Sequence, residues 1–299
     1  MNFIRTLSML SIGLLLSSSV SNSGITADAG EKMEFSDWVQ NRAPQIPEQE
    51  DLAGEVVPLD LFGVREQLDR EMIANTYHHS STMLYFKRAA RWFPIIEPIL
   101  KEKGLPDDFK YLCIIESGMT QAVSPAGAAG FWQFMKATAP RYGLEVTNEV
   151  DERYHVEKST QAACDYLLEA YDEFDSWALA AASYNMGKGG VRKQLSRQGV
   201  DTYWELHLNS ETARYVYRLL AVKTIFEEPA KYGFALEEET LYRPYRTRKI
   251  RVEESIPDLA SFAVEQGSNL KALKVLNPWL RKDELTIEPG ESFTIELPA

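Results

Sequence analysis

The stretch that most restricts this chain runs from Phe109 to Met135, FKYLCIIESGMTQAVSPAGAAGFWQFM. Phe109, Leu112, Cys113 and Glu116 fall at i, i+3, i+4 and i+7, so an apolar helical stripe ends in a carboxylate. Gly118 breaks the helix, which leaves the acid where the chain turns away and can open onto a cleft. A carboxyl held against apolar surface favours its neutral form and can give up a proton near neutral pH. No other acid occurs between Glu116 and Glu145; Ser, Thr, Gln and the glycines 118, 127, 130 and 143 take their place. Polar, glycine-rich backbone after such an acid suits a groove that must come close to a ligand. Trp132 and Phe134 bring stacking surface to it, and Gln133 between them brings an amide.

With 299 residues, 44% of them hydrophobic, the chain can fill about two domains. It opens like an export signal. Arg5 is the only charge among the first 27 residues, Leu7 to Leu16 is apolar, and small residues mark cleavage near residues 21–24. That run is too short for a mature span, and no later run is long enough. With no cysteine before Cys113, the signal has no lipid-attachment cysteine, and the expectation is a soluble, exported protein of the periplasm or cell envelope. Cys113 and Cys164 cannot build a metal site; each lies among apolar neighbours in a helical pattern, so buried thiols are expected, with one bridge as the alternative. The formal charge of −12, from 32 basic and 44 acidic side chains, and the absence of any basic block exclude a nucleic-acid binder. The acidity lies upstream, because the 59 residues from Leu241 carry nine charges of each sign.

Read in order, residues 1–24 are the signal and 25–58 a linker or arm with Pro44, Pro47 and Pro58. Helical patterns begin at Leu59, and HHS at 78–80 breaks them. A second helix is expected from Thr82 to Phe93, with Pro94 and Pro98 punctuating a short segment through Leu100. Pro106 with Asp107 and Asp108 launches the helix of Glu116. Ser159 or Thr160 is expected to cap the next helix, whose stripe includes Ala163, Leu167 and Ala170. WALAAASYNM at 177–186 is a helix ending at Gly187, with Tyr184 and Asn185 at its exit; Asn185 reads equally as a terminator or a ligand. A helix over 211–228 comes next, with Tyr215 reaching toward the cleft. Periodicity is lost around 232–245, and 246–299 reads strand, helix, helix, strand with a turn at Pro289–Gly290.

Four strings in order, Glu116–Ser117, GAAGFWQFM at 127–135, ASYNMG at 182–187 and ETARYV at 211–216, resemble the lytic transglycosylases of bacterial cell walls, closest to the membrane-bound type D branch. The resemblance covers about 59–228. It implies a mainly α fold, a lysozyme-like helical catalytic domain over 59–240, that cuts the MurNAc–GlcNAc β-1,4 bond of peptidoglycan glycan strands without a cofactor or metal. It further implies Glu116 as acid/base, Ser117 as the serine that bonds the sugar or tunes the acid, and Gln133, Tyr184 and Asn185 as groove residues. Tyr215 matches a tyrosine that bonds the catalytic carboxyl. Met186 departs from the family's usual alanine. The tail resembles, more weakly, a small βααβ LysM-like module, with Ile256–Pro257 where the Gly-Asp beside the family's glycan site usually stands.

Ordinary glycosidases flank the bond with two carboxylates. One glutamate suffices if the muramic acid's own 6-hydroxyl is the nucleophile and a 1,6-anhydro sugar the product. Two rivals stand beside this reading: a hydrolytic muramidase of goose-lysozyme type, leaving reducing ends, and a catalytically silent wall-binding protein.

Overall fold

The computed structural model describes residues 43–299; the signal expected at 1–24 and the first part of the arm lie outside them. No helix of the described residues is long and apolar enough to cross a membrane.

The described part of the arm is no free linker. Strands β1 (Asp51–Leu52) and β2 (Glu55–Val56) form an antiparallel hairpin whose Leu52, with Val57 beyond it, is buried in the core. Lys223 donates to the Asp51 carbonyl at 2.7 Å and pairs with Asp108 at 3.1 Å, while Asp108 also accepts from the Ala53 N–H at 2.7 Å. Proline and scattered charge hid this contact, because what holds the arm is a buried lysine far along the chain.

Helix α1 (Val64–Tyr77) ends at His78, and α2 (His79–Lys103) starts at once. The break at 78–80 is therefore where the sequence put it, but α2 runs straight through Pro94 and Pro98. Phe86, Ala89, Ile96 and Leu100 form one buried stripe along α2 while both prolines face solvent, so carbonyls that lose an N–H partner can reach water. The His79 ring stacks on Phe234 at 4.7 Å.

A 3₁₀ turn over Asp107–Tyr111 leads into the short α3 (Leu112–Ser117). Helix α4 (Val156–Phe174) is capped by His155, whose ring accepts from the Lys158 N–H. The expected caps lie inside its first turn and are buried: Ser159 donates to the His155 carbonyl and Thr160 to that of Val156, both at 2.7 Å. Helix α5 (Trp177–Met186) is buried from Trp177 through Ser183, its alanines allowing close approach of α4, α6 (Lys188–Gln198) and α7 (Thr212–Glu227). Cys113 and Cys164 are free, buried thiols.

The C-terminal part has β3 (Thr247–Val252), α8 (Leu259–Glu265), α9 (Leu270–Leu276) and β4 (Phe293–Pro298), with β3 and β4 paired antiparallel from Thr247–Pro298 to Val252–Phe293. Asp258 and Asn269 cap the two helices. Leu259, Ala263, Leu273, Ile295 and Leu297 fill its core, which is shared with Ala129, Val150 and Tyr154 from the first part. Val150 bridges Leu280, the Asp151 N–H donates to the Trp279 carbonyl at 2.9 Å, and Glu149 accepts the Thr286 N–H at 2.7 Å. The connector is fastened too: Lys87 and Arg91 of α2 donate to the carbonyls of Thr240 and Arg243, and the Arg91 guanidinium lies 4.1 Å from the Tyr245 ring centre.

Candidate active site

Glu116 is mounted on apolar packing. Phe109, Leu112 and Cys113 are fully buried, so the stripe read from the sequence faces the core even though its first turn is 3₁₀. Gly118 closes α3 in the left-handed region at φ 61°, and its position is crowded: a Cβ there would stand 2.9 Å from the Tyr85 ring. Glu116 is half-buried in the last turn.

Across the chain, Tyr215 of α7 donates its phenolic hydrogen to Glu116 Oε1. Burial raises the carboxyl's pKa from 4.5 to about 7; the Tyr215 hydrogen bond and then the Arg218 charge pull it down, and Glu211 pushes it up. A carboxyl raised that far can both give up a proton and take one back near neutral pH. Burial drives the Tyr215 and Tyr184 hydroxyls well above the usual phenol range, so both stay neutral donors.

Arg218 and Glu211 were not singled out from the sequence, although a signal was there. Positions 211, 215 and 218 stand at i, i+4 and i+7, one stripe of the helix that carries Tyr215. Glu71, buried on α1, escaped as well; it accepts from Arg214 at 2.6 and 3.2 Å and so fixes α7 beside α1.

The loop after Glu116 is held from within. The Ser117 hydroxyl lies 2.9 Å from the Phe131 carbonyl and 3.2 Å from that of Cys113, and also meets the Thr120 N–H at 3.3 Å. These bonds lock the loop onto α3. Gln133 has φ 49° and donates its amide to the carbonyls of Ala122 and Gly130 at 3.0 and 2.8 Å, so its N–H₂ serves the loop. Met119 is also left-handed at φ 55°, and non-glycine residues in that region cost about 1–3 kcal/mol and gather at working sites. Tyr184 donates to the Trp132 carbonyl at 2.8 Å, and the Trp132 indole donates to Thr160 at 2.8 Å.

Arg153, also missed, clamps the same loop from outside. Its guanidinium donates to the carbonyls of Gly127 and Phe134 at 3.0 and 3.1 Å while Asp151 holds it through both oxygens. Gly130 packs so close that a Cβ would fall 1.9 Å from the Arg153 carbonyl oxygen.

Asn185 is committed to neighbours: its N–H₂ donates to Glu211 at 3.2 Å and its oxygen accepts from Thr212 at 2.7 Å, tying the exit of α5 to the start of α7. Glu149 and Asp151, the first acids after Glu145, are engaged with Thr286 and Arg153. Among the described residues no group of three or more His, Cys, Asp or Glu side chains could hold a metal ion.

Comparison with known proteins finds two family models along the chain. Residues 93–207 match the transglycosylase SLT domain, and residues 248–299 match the soluble lytic transglycosylase C-terminal LysM-like domain. The chain is 32% identical over 229 residues to membrane-bound lytic murein transglycosylase D of Escherichia coli K12, covering 74% of this chain and 49% of that protein. The protein of the same name from Escherichia coli O6:H1 matches to the same extent. The chain therefore spans about half the length of the curated relatives it matches.

Proposed function

We propose that this chain, which joins a lysozyme-like transglycosylase SLT domain to a LysM-like module, is a peptidoglycan lytic transglycosylase that cleaves the MurNAc–GlcNAc β-1,4 bond. The observation that carries the reading is the pairing of Glu116, its pKa raised to about 7, with the neutral Tyr215 hydroxyl. Protonated Glu116 donates to the glycosidic oxygen as its bond to the muramic C1 breaks, and the GlcNAc end leaves with a 4-hydroxyl. Positive charge builds at C1 and its ring oxygen. The Glu116 carboxylate then takes the proton of the muramic 6-hydroxyl, whose oxygen attacks C1, and the acid is restored with a 1,6-anhydro ring formed and no water consumed. Tyr215 steadies the carboxylate formed halfway, because its O–H bond favours the charged form. Tyr184 holds the Trp132 carbonyl near it, and Asn185 ties the exit of α5 to the start of α7. Trp132 and Phe134, expected to offer stacking surface, are buried instead and brace the loop from within, as Ser117 and Gln133 do.

Digestion of sacculi, read by mass spectrometry, tests this. Wild type is expected to release anhydromuropeptides and Glu116→Gln almost none; equal release by both rejects the assignment. Glu211 favours a second reading, because it is the carboxylate whose charge reaches Glu116. If it activated water, the products would end in reducing MurNAc and Glu211→Gln would abolish them. The apolar run after Arg5 supports export to the envelope, which fractionation of cells expressing the full chain would check.

A further inference from the structure

A cavity of about 530 Å³ opens between the catalytic part and the LysM-like part, and Glu116 is not among the residues that line it. Its volume lies in the range of small-ligand sites. Trp92, Gln121 and Tyr154 line it from one side, Asn277, Trp279 and Phe293 from the other. We infer that this cleft is a second saccharide site, taking uncharged N-acetylated sugar rings; the inference rests on the proposed reading for the identity of the polymer.

Three features select that chemistry. Aromatic rings are gathered there: half-buried Phe293 stacks on the buried Trp279 at 5.5 Å and 19°, and half-buried Trp92 sets its ring edge-on to Phe131 at 5.0 Å and to Tyr245 at 6.3 Å. Flat rings of this kind accept the C–H faces of a pyranose. The cations at the cleft are already paired, Lys158 with Glu152 and Lys249 with both Glu157 at 3.1 Å and Glu296 at 3.4 Å. An ionised peptide would have to break those pairs, whereas a neutral sugar leaves them intact. Finally, Gln121 lines the cleft and donates its N–H₂ to the Tyr154 carbonyl at 3.0 Å, while its Oε1, screened from the cleft, has no hydrogen-bond partner among the described residues. An orphaned buried oxygen is costly, and a small turn of the side chain would present it to a hydroxyl or N-acetyl N–H donor in the cleft. Gln121 stands five residues after Glu116, so their Cα atoms are at most about 18 Å apart and one glycan can reach both.

The test is a titration of ¹⁵N-labelled full chain carrying Glu116→Gln with chitotetraose, followed through the indole N–H resonances of Trp92 and Trp279. Both are expected to shift saturably. Adding Gln121→Leu should weaken that response about fivefold, the loss of one net hydrogen bond. Val275→Trp, placed on the tail wall at a half-exposed position, should abolish it while leaving the melting temperature unchanged. Shifts confined to Trp132, or indole responses indifferent to both substitutions, overturn the second site. Release of anhydromuropeptides by wild type is measured separately, so loss of the cleft and loss of the proposed reaction give different results.

Discussion

One residue before the tyrosine that touches Glu116, Arg214 is gripped by the buried carboxylate of Glu71, Nε to Oε1 at 2.6 Å and the second nitrogen to Oε2 at 3.2 Å. Glu71 is 1% exposed, and Arg218 approaches the same carboxylate at 3.8 Å. One acid therefore anchors the helix that presents Tyr215 and limits how far it can slide. Glu71→Gln keeps the shape and removes the charge. It is expected to cost about 2 kcal/mol, less than a fully buried pair because Arg214 keeps some access to water, and to lower the melting temperature by several degrees. An unchanged melt would show that the clamp contributes nothing to stability.

Removing the Tyr215 hydroxyl should change the pH profile of the reaction as well as its rate. The phenol favours the charged carboxylate, so Tyr215→Phe raises the Glu116 pKa above about 7. The proton-donating form then persists to higher pH, and the alkaline limb of kcat/KM moves upward while the maximum falls about tenfold. A lower rate with the limb in place would mean that Tyr215 acts by packing alone.

Glu116 also makes stability depend on pH. Its pKa rises from 4.5 to about 7 on folding, so its contribution is fully present below pH 4.5 and is lost as pH climbs through 7. Between pH 5 and 8 wild type should lose stability relative to Glu116→Gln, by at most about 3 kcal/mol. Denaturant titrations of both proteins at the two ends of that range measure it, and parallel curves would contradict the raised pKa.

Two glycines of the motif loop should answer differently to alanine. At Gly130 the new Cβ would meet the Arg153 carbonyl at 1.9 Å with φ at +78°, so the loop must move and more than about 3 kcal/mol is lost. At Gly127 nothing lies within 4 Å and only the positive φ of +86° resists, for about 1–2 kcal/mol. Melting temperature and anhydromuropeptide release should fall together at Gly130, whereas at Gly127 the melt drops by only a few degrees and release is kept. Equal effects would place the sensitivity in backbone strain alone.

Much of this was legible beforehand because it is local. The stripe from Phe109 to Glu116, the stops at Gly118 and Gly187 and the strand–helix–helix–strand tail each come from spacing within a few residues. What escaped depends on surroundings that spacing does not show. Pro94 and Pro98 sit in an intact helix because their solvent side tolerates the missing N–H groups, which periodicity cannot foresee. Ser159 and Thr160 resemble caps but bond backward inside the helix, since His155 already fills that role. Ser117 and Gln133 carry polar groups that a motif assigns to sugar; the structure spends those groups on the loop's own carbonyls. Glu211 and Arg218 could have been found by extending the helical stripe of Tyr215 in both directions.

The LysM-like part is joined to the helical SLT part by backbone pairing at Val150–Leu280 and Asp151–Trp279, and its connector is pinned along the helix that carries Lys87 and Arg91. These contacts make it a braced arm, not a leash. A glycan held on it can meet Glu116 only at a set interval, so the arm would work as a ruler for where along a strand the cut falls. A flexible insertion beside Arg243, together with Glu149→Ala, should blur the length distribution of the fragments without silencing the reaction.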